Sequence, residues 1–430
     1  MVQESGRRPC FGAAAHPFGQ DVLYAHSLRN GMENMKDKFA IVVLGLASTL
    51  AAASSAADFY QWDAAIPAKA GQLLRSENLE ADLVLNAAAS GQRILYSSLG
   101  VDGDPVVVSG AIFTPQGDAP EGGWPVMAWS HGTVGIADHC APSRAGRSER
   151  DVSFLNQWLE AGYAIVATDY EGLGTAGVHP YLHCRSEAYS NIDAVRAAQA
   201  SGQPLSPQWM VMGQSQGGQG AMCTGAYVAE YAPEQAFLGT LATAPGGANM
   251  MDRFNAGDGN EPNPFIGISL MMLRGFEVYS EGFSAADALT PEALAMMPLT
   301  EKHCVFELMG IGAKAGMTTG DTFKYIPFGA TPGIADAAEK MEVPRTGWTQ
   351  PLYIAQGTAD PMVRYVDTLK YSQALCEQGM AVTLDVYEGA DHSGPMNQGF
   401  ARFAAWAGER FEDKKDSGAC ALINELAREN

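Results

Sequence analysis

Apolar and polar positions along this 430-residue chain change their rhythm several times. Gln92 to Ser98 and Pro105 to Phe113 flank Asp102-Gly103-Asp104, a turn signal, and predict two antiparallel strands at a sheet edge. Short apolar runs follow at Pro125–Ser130, Tyr163–Thr168, Trp209–Met212, Phe237–Ala244, Pro351–Gly357 and Val382–Tyr387. Runs of this length that end in Gly, Asp or small polar residues read as strands covered on both faces. Between them lie stretches of helical period: one near Val152 to Glu160, one from Glu187 to Ala200 (Ala188, Ile192, Val195, Ala198), and one ending at Tyr231. Strand alternating with helix predicts an α/β fold with a mainly parallel sheet and helices on both faces.

The rhythm breaks from about residue 246 to 345. That stretch is rich in Met, Gly and Pro, with helical segments and no clear strand, and it predicts a helical cap inserted into the sheet domain. Nine of the 19 methionines lie there, including the pairs Met250-Met251, Met271-Met272 and Met296-Met297. Each methionine alone reads as helix core; together they suit an adaptable apolar substrate pocket. The N-terminus breaks the rhythm differently. The first 34 residues are irregular; then Met35-Lys36-Asp37-Lys38 leads into an apolar run from Phe39 to Leu50 and small residues from Ala51 to Ala57. This predicts a signal peptide within residues 1–56, initiation at Met32 or Met35, cleavage after Ala56 or Ala57, and a mature domain over 57–430. No later segment reaches the ~18 uninterrupted apolar residues of a membrane span, which predicts a soluble mature protein.

Charge narrows the partners. The whole chain has 27 basic and 48 acidic groups; without residues 1–56 it has 22 and 44. An excess of that sign argues against nucleic acid and against stable binding to anionic membranes. The expectation is a monomer whose partner is a small molecule or a lipid, with contact to a lipid interface at most transient. Six of the seven cysteines remain after the leader, and an even count in an exported chain predicts disulfides. Neither a C-x-x-C nor a His/Cys cluster is present, so no metal or other cofactor is expected.

The chemistry concentrates at Gly213-Gln214-Ser215-Gln216-Gly217, directly after the apolar run at 209–212. A strand running through G-x-S-x-G into a helix is a nucleophile elbow, which holds the serine Oγ clear of the backbone. Asp360 follows the run ending at Gly357, and His392 follows the run ending at Tyr387. Serine, aspartate and histidine in that order, each after a strand, can converge at the carboxyl end of the sheet. His392 would take the proton of Ser215, and Asp360 would orient and stabilise the imidazole. Asp391 and Asp385 are rival acids. Asp391 adjoins the histidine in sequence, and Asp385 reads as a solvent-facing strand position. The oxyanion hole would use the N–H of Gln216 and a donor from the His131-Gly132-Thr133 loop, either Gly132 or Thr133, with Thr133 preferred.

Ser130-His131-Gly132-Thr133, Cys140-Ala141-Pro142-Ser143, Asp169-Tyr170-Glu171-Gly172-Leu173-Gly174-Thr175, Val178-His179-Pro180-Tyr181-Leu182, the elbow with Gly218, and Gln356-Gly357-Thr358-Ala359-Asp360 together resemble the secretory lipase family. That family includes secreted lipases of Candida yeasts and bacterial relatives. The resemblance spans roughly Gln92 to Phe411. It implies an α/β-hydrolase with a helical cap that cleaves carboxylic esters, often of fatty acids, with Ser215, Asp360 and His392 as the triad. It also implies bridges Cys140–Cys304 and Cys376–Cys420, leaving Cys184 and Cys223 free or paired; Cys140–Cys184 is the rival pairing. Other functions fit the same residues less well: a short-chain or aromatic-ester esterase, an acyltransferase, a prolyl-type peptidase, or a catalytically silent lipid-binding protein.

Overall fold

The computed structural model describes residues 58–429. The expected signal peptide, start codon and cleavage site therefore lie outside the described residues. Nine strands form one sheet: β1 (Leu73–Asn78), β2 (Ala88–Leu99), β3 (Pro105–Pro115), β4 (Trp124–Ser130), β5 (Ala164–Thr168), β6 (Leu205–Gln214), β7 (Ala236–Thr243), β8 (Leu352–Gly357) and β9 (Val382–Tyr387). Their order is β1-β2-β3-β5-β4-β6-β7-β8-β9. β1 through β3 and the β3–β5 contact are antiparallel; every pair from β5 onward is parallel.

The two strands expected at the edge are β2 and β3, but β1 covers β2 and takes the edge itself. β1 reads Leu-Leu-Arg-Ser-Glu-Asn, with its last three residues exposed, so it carries no alternating apolar face to betray it. The elbow strand starts at Leu205, four residues earlier than its apolar run, because Ser206 to Gln208 lie at its polar end.

The central strands show why continuous apolar runs were needed. Met127, Trp129, Met210 and Met212 enter the core on one face, while Val126, Ala128, Trp209 and Val211 enter the core on the other. Successive side chains point to opposite faces, so a strand covered twice must be apolar at every position. After the short helix α1 (Pro142–Ala145), the covering helices are α2 (Glu149–Glu160), α3 (Cys184–Gln199) and α4 (Gln216–Tyr231). Phe154 and Trp158 of α2 join the first core; Ile192 and Val195 of α3 and Val228 of α4 join the second.

Between β7 and β8 the chain forms seven α-helices, with two short 3-10 turns, and no strand of the sheet. They are α5 (Met250–Phe254), α6 (Ile266–Tyr279), α7 (Ala285–Ala288), α8 (Pro291–Leu294), α9 (Val305–Ala315), α10 (Thr319–Thr322) and α11 (Ile334–Met341). Their own core includes Leu270, Met271, Leu273, Phe276 and Ile334, and it reaches Tyr181 and Leu182 of the sheet domain. Helices α12 (Tyr365–Glu377), α13 (Gly394–Phe411) and α14 (Cys420–Glu429) complete the fold. No described helix is long and apolar enough to cross a membrane.

Three disulfides join these layers: Cys140–Cys304, Cys184–Cys223 and Cys376–Cys420. The rival Cys140–Cys184 pairing is not formed, because Cys184 opens α3 and meets Cys223 on the neighbouring α4, at a Cα separation of 5.4 Å.

Candidate active site

Strand order creates the site. The chain passes from β4 to β5 on one side, then crosses to β6 on the other side of β4. Such a reversal leaves a crevice beyond the carboxyl ends of the two strands. The loop after β4 is His131-Gly132-Thr133, and the residue after β6 is Ser215; Ser130 pairs with Gly213 in register.

Ser215 has φ 59°, a left-handed conformation that a non-glycine residue adopts only under tertiary constraint. Its N–H donates to Thr243 O at 3.0 Å, tying the turn to β7. The flanking glycines are steric requirements. A Cβ on Gly213 would collide with the Gly217 carbonyl oxygen, and a Cβ on Gly217 with the Ser130 carbonyl oxygen. Both obstacles are backbone, so neither can move aside.

Asp360 and His392 follow the adjacent strands β8 and β9, and His392 Nδ1 lies 2.8 Å from Asp360 Oδ2. Asp360 is 7% exposed. Burial alone would raise its pKa, but the hydrogen bond and charge of His392 and the N–H groups of Val363 and Met362 together hold it below the usual carboxylate value. The rival acids are engaged elsewhere. Asp391 accepts from the Ser393 and Gly394 N–H groups. Asp385 is not solvent-facing as expected: it is partly buried and accepts from the Tyr353 hydroxyl and Arg402. Gln214, the residue before Ser215, donates from Nε2 to His392 O at 3.3 Å, linking the elbow strand to the histidine loop.

The two expected oxyanion donors have unspent backbone hydrogens. Among the described residues neither Thr133 N–H nor Gln216 N–H donates to another protein group. Gln216 opens α4, where a helix leaves its first N–H groups unpaired and places a positive dipole end. In the other loop His131 Nδ1 lies 2.7 Å from Gly132 O. Burial lowers the pKa of His131, so the ring is neutral with one N–H, and the shorter contact places that hydrogen on Nδ1. With Gly132 O held by His131, the trans peptide turns Thr133 N–H the opposite way.

Behind both donors lies a buried polar layer. Gln216 Nε2 donates to Glu187 Oε1 at 2.9 Å and lies 3.0 Å from His179 Nε2. His179 Nδ1 lies 2.8 Å from Glu171 O and gives it the ring hydrogen, so Nε2 is the acceptor for Gln216. Burial pushes His179 down to about 3 and Glu187 up to about 8. Tyr170 donates to His131 O at 2.8 Å, and Tyr181 OH pairs with Thr133 Oγ1 at 2.6 Å. The Tyr-Glu-Gly-Leu-Gly and His-Pro-Tyr-Leu segments thus back the loop and elbow from behind. The structural roles of Gln214 and Glu187 escaped sequence reading: one is a variable position of the elbow, the other a lone acid on a helix.

Ser215, Gln216 and Thr133 open on a cavity of about 320 Å³. Its walls are mainly apolar and include Phe254, Phe265, Ile268, Met272, Phe328 and Met362, with Arg253 among them. Of the nine methionines between residues 246 and 345, Met250, Met272 and Met341 line it; Met271 is fully buried in the helical core. A larger cleft, about 670 Å³, is lined by Arg345, Arg410 and Lys414 and includes none of these loop residues.

A strained serine at a strand–helix elbow beside the switch point, with an Asp–His pair in the loops after β8 and β9, defines an α/β-hydrolase. The chain belongs to the secretory lipase family, whose model matches residues 141–418, and it is a carboxylic ester hydrolase of the lipase/esterase type. Among solved structures it is similar in fold to a rice cell wall degrading esterase, LipA from Xanthomonas oryzae, at 21% identity and TM-score 0.65, covering 81% of this chain and 100% of that one. It is also similar to lipase A of Candida antarctica in its closed state, at 17% identity and TM-score 0.67, covering 81% and 83%. No curated protein sequence matches it.

Proposed function

We propose that the protein is an exported serine esterase that cleaves acyl esters through an acyl-enzyme on Ser215, with His392 as base and Asp360 as its orienting acid. The observation that carries this reading is the His392–Asp360 hydrogen bond, 2.8 Å, in the loops of β8 and β9, together with the strained Ser215 elbow on an apolar cavity. His392 Nε2 takes the Ser215 Oγ proton as Oγ bonds to the ester carbonyl carbon. Thr133 and Gln216 N–H groups receive the oxyanion; each such donor is worth ~3 kcal/mol in the transition state. His392 then gives its proton to the departing alkoxide, and water repeats the sequence to free the acid and Ser215. The segment 246–345 serves as a cap that supplies most of the acyl cavity wall. Export is supported by the apolar run at 39–50 and by the three disulfides.

Ser215→Ala tests the reading with p-nitrophenyl esters from C2 to C16. Turnover should fall by about four orders of magnitude or more, and labelling by a fluorophosphonate probe should vanish. Equal rates for the two proteins, or a probe that still labels the variant, would remove Ser215 from the chemistry. A silent lipid binder would not label at all.

A further inference from the structure

Arg253 is the cation of an otherwise mainly apolar cavity, and the described residues give it no carboxylate partner. The one hydrogen bond its guanidinium makes among them runs from Nη2 to Met362 O at 2.6 Å. No salt bridge involves it among the described residues. The two carboxylates whose fields reach it, Asp367 and Asp360, are already spent. Asp367 receives Nε and Nη2 of Arg364 at 2.7 and 2.8 Å. Asp360 receives His392, Gln356 and the N–H groups of Met362 and Val363. A guanidinium carries five donors in a fixed planar fork and stays charged, so most of its hydrogens remain for something that enters the cavity.

We propose that Arg253 is a specificity-determining residue that binds a carboxylate on the substrate's acyl chain, making half-esters of dicarboxylic acids the preferred substrate class. This rests on the serine esterase reading, since the cavity is assigned to the acyl group because Ser215 opens into it. A desolvated, unpaired cation is costly, and the cost is relieved when a carboxylate arrives and accepts two parallel N–H bonds. The surrounding Met272, Phe265 and Ile268 would take the intervening methylenes. The protein's net charge of −21 repels anions at long range, so recognition of an anionic acyl chain needs such a local cation.

The experiment compares monoethyl adipate with ethyl hexanoate, which share acyl length and leaving group, in wild type, Arg253→Met and Arg253→Lys. Wild type should favour the half-ester in kcat/KM by about tenfold or more, Arg253→Met should invert or erase that ratio, and Arg253→Lys should keep part of it. The ratio is the readout because Arg253 also holds the Met362 carbonyl beside Asp360. Were that clamp its whole role, both substrates would slow together with the ratio unchanged, and the proposal would be overturned. A wild type that cleaves ethyl hexanoate and labels with fluorophosphonate, but shows no preference, overturns this inference and leaves the serine esterase reading intact. A wild type that neither labels nor cleaves either ester overturns both.

Discussion

Glu187 is a carboxyl group at 1% exposure, with one oxygen held by Gln216 and the other without a partner. Its pKa of about 8 against an unfolded value of ~4.3 means that the folded state keeps a proton the unfolded chain releases. Its contribution to stability is therefore full below about pH 4.5 and lost as pH rises through 8. His179 and His183, both pushed to about 3 by burial, act in the opposite sense: their contribution is lost as pH falls from about 6.5 toward 3. The two trends oppose each other below pH 6.5, and above it Glu187 is the group of the three still titrating. Urea midpoints at pH 6.5 and 8.5 should thus fall by the equivalent of about 1–2 kcal/mol in wild type and by clearly less in Glu187→Gln, which keeps an acceptor for Gln216. Equal falls in the two proteins would mean that Glu187 already ionises below neutrality. At this scale the sequence was most readable where chemistry demands a residue type at a fixed spacing, as with Gly213 and Gly217 against backbone oxygens. It was least readable where a group matters only because of what tertiary packing buries around it, as with Glu187 and Arg253.

Among the elements, the link between the β4 loop and α9 bears most directly on the chemistry. Cys140 is bridged to Cys304, the residue preceding α9, and Val305 N donates to Val134 O at 2.8 Å, one residue from Thr133. Gly135 lies against this bridge, where a Cβ would press on Cys140 Sγ and the Cys304 backbone. The bridge closes a long loop, 164 residues in sequence separation, for which the chain-entropy account gives about 5 kcal/mol. Replacing both cysteines by alanine should lower the urea midpoint and, because the donor loop loses its anchor, lower kcat more than it raises KM. A variant with wild-type kcat and a lowered midpoint would separate the bridge from the oxyanion loop and leave it a purely stabilising feature. The elements themselves were legible in proportion to how fully they are covered: β4 to β9 declared themselves as apolar runs, and β9 kept its bounds. β1 stayed hidden because an edge strand with three exposed residues has no pattern to show. The connection of Cys184 to Cys223 was also left open, since nothing along the chain states that α3 and α4 lie side by side.

For the whole molecule the open quantity is how long an acyl chain the fold accepts. The order of strands puts Ser215 beside the β4 loop, and the helices between β7 and β8 close an apolar space over it. Volume alone does not pick the site, since the larger cleft by Arg345 and Lys414 is polar and is not lined by Ser215 or its neighbouring loops. The Ser215 cavity, about 320 Å³, sits at the low end of the ~300–1,000 Å³ usual for ligand sites. Burying one more methylene there gains ~0.8 kcal/mol, or about fourfold in kcat/KM. Neutral p-nitrophenyl esters should therefore gain by about that factor per methylene until the space is filled, then level off and decline. A cavity this small places the optimum at medium length, with activity from C4 to at least C10. Methionines 250, 272 and 341 on the wall should broaden the maximum, because their side chains can shift to accommodate neighbouring lengths. Replacing Met272 by phenylalanine, which is stiffer, should narrow the profile without touching the Ser215 loops. A sharp maximum at C2 with nothing at C8 or beyond would instead mean that the acyl group stays outside this cavity, and the wall residues named here would have no part in choosing the substrate.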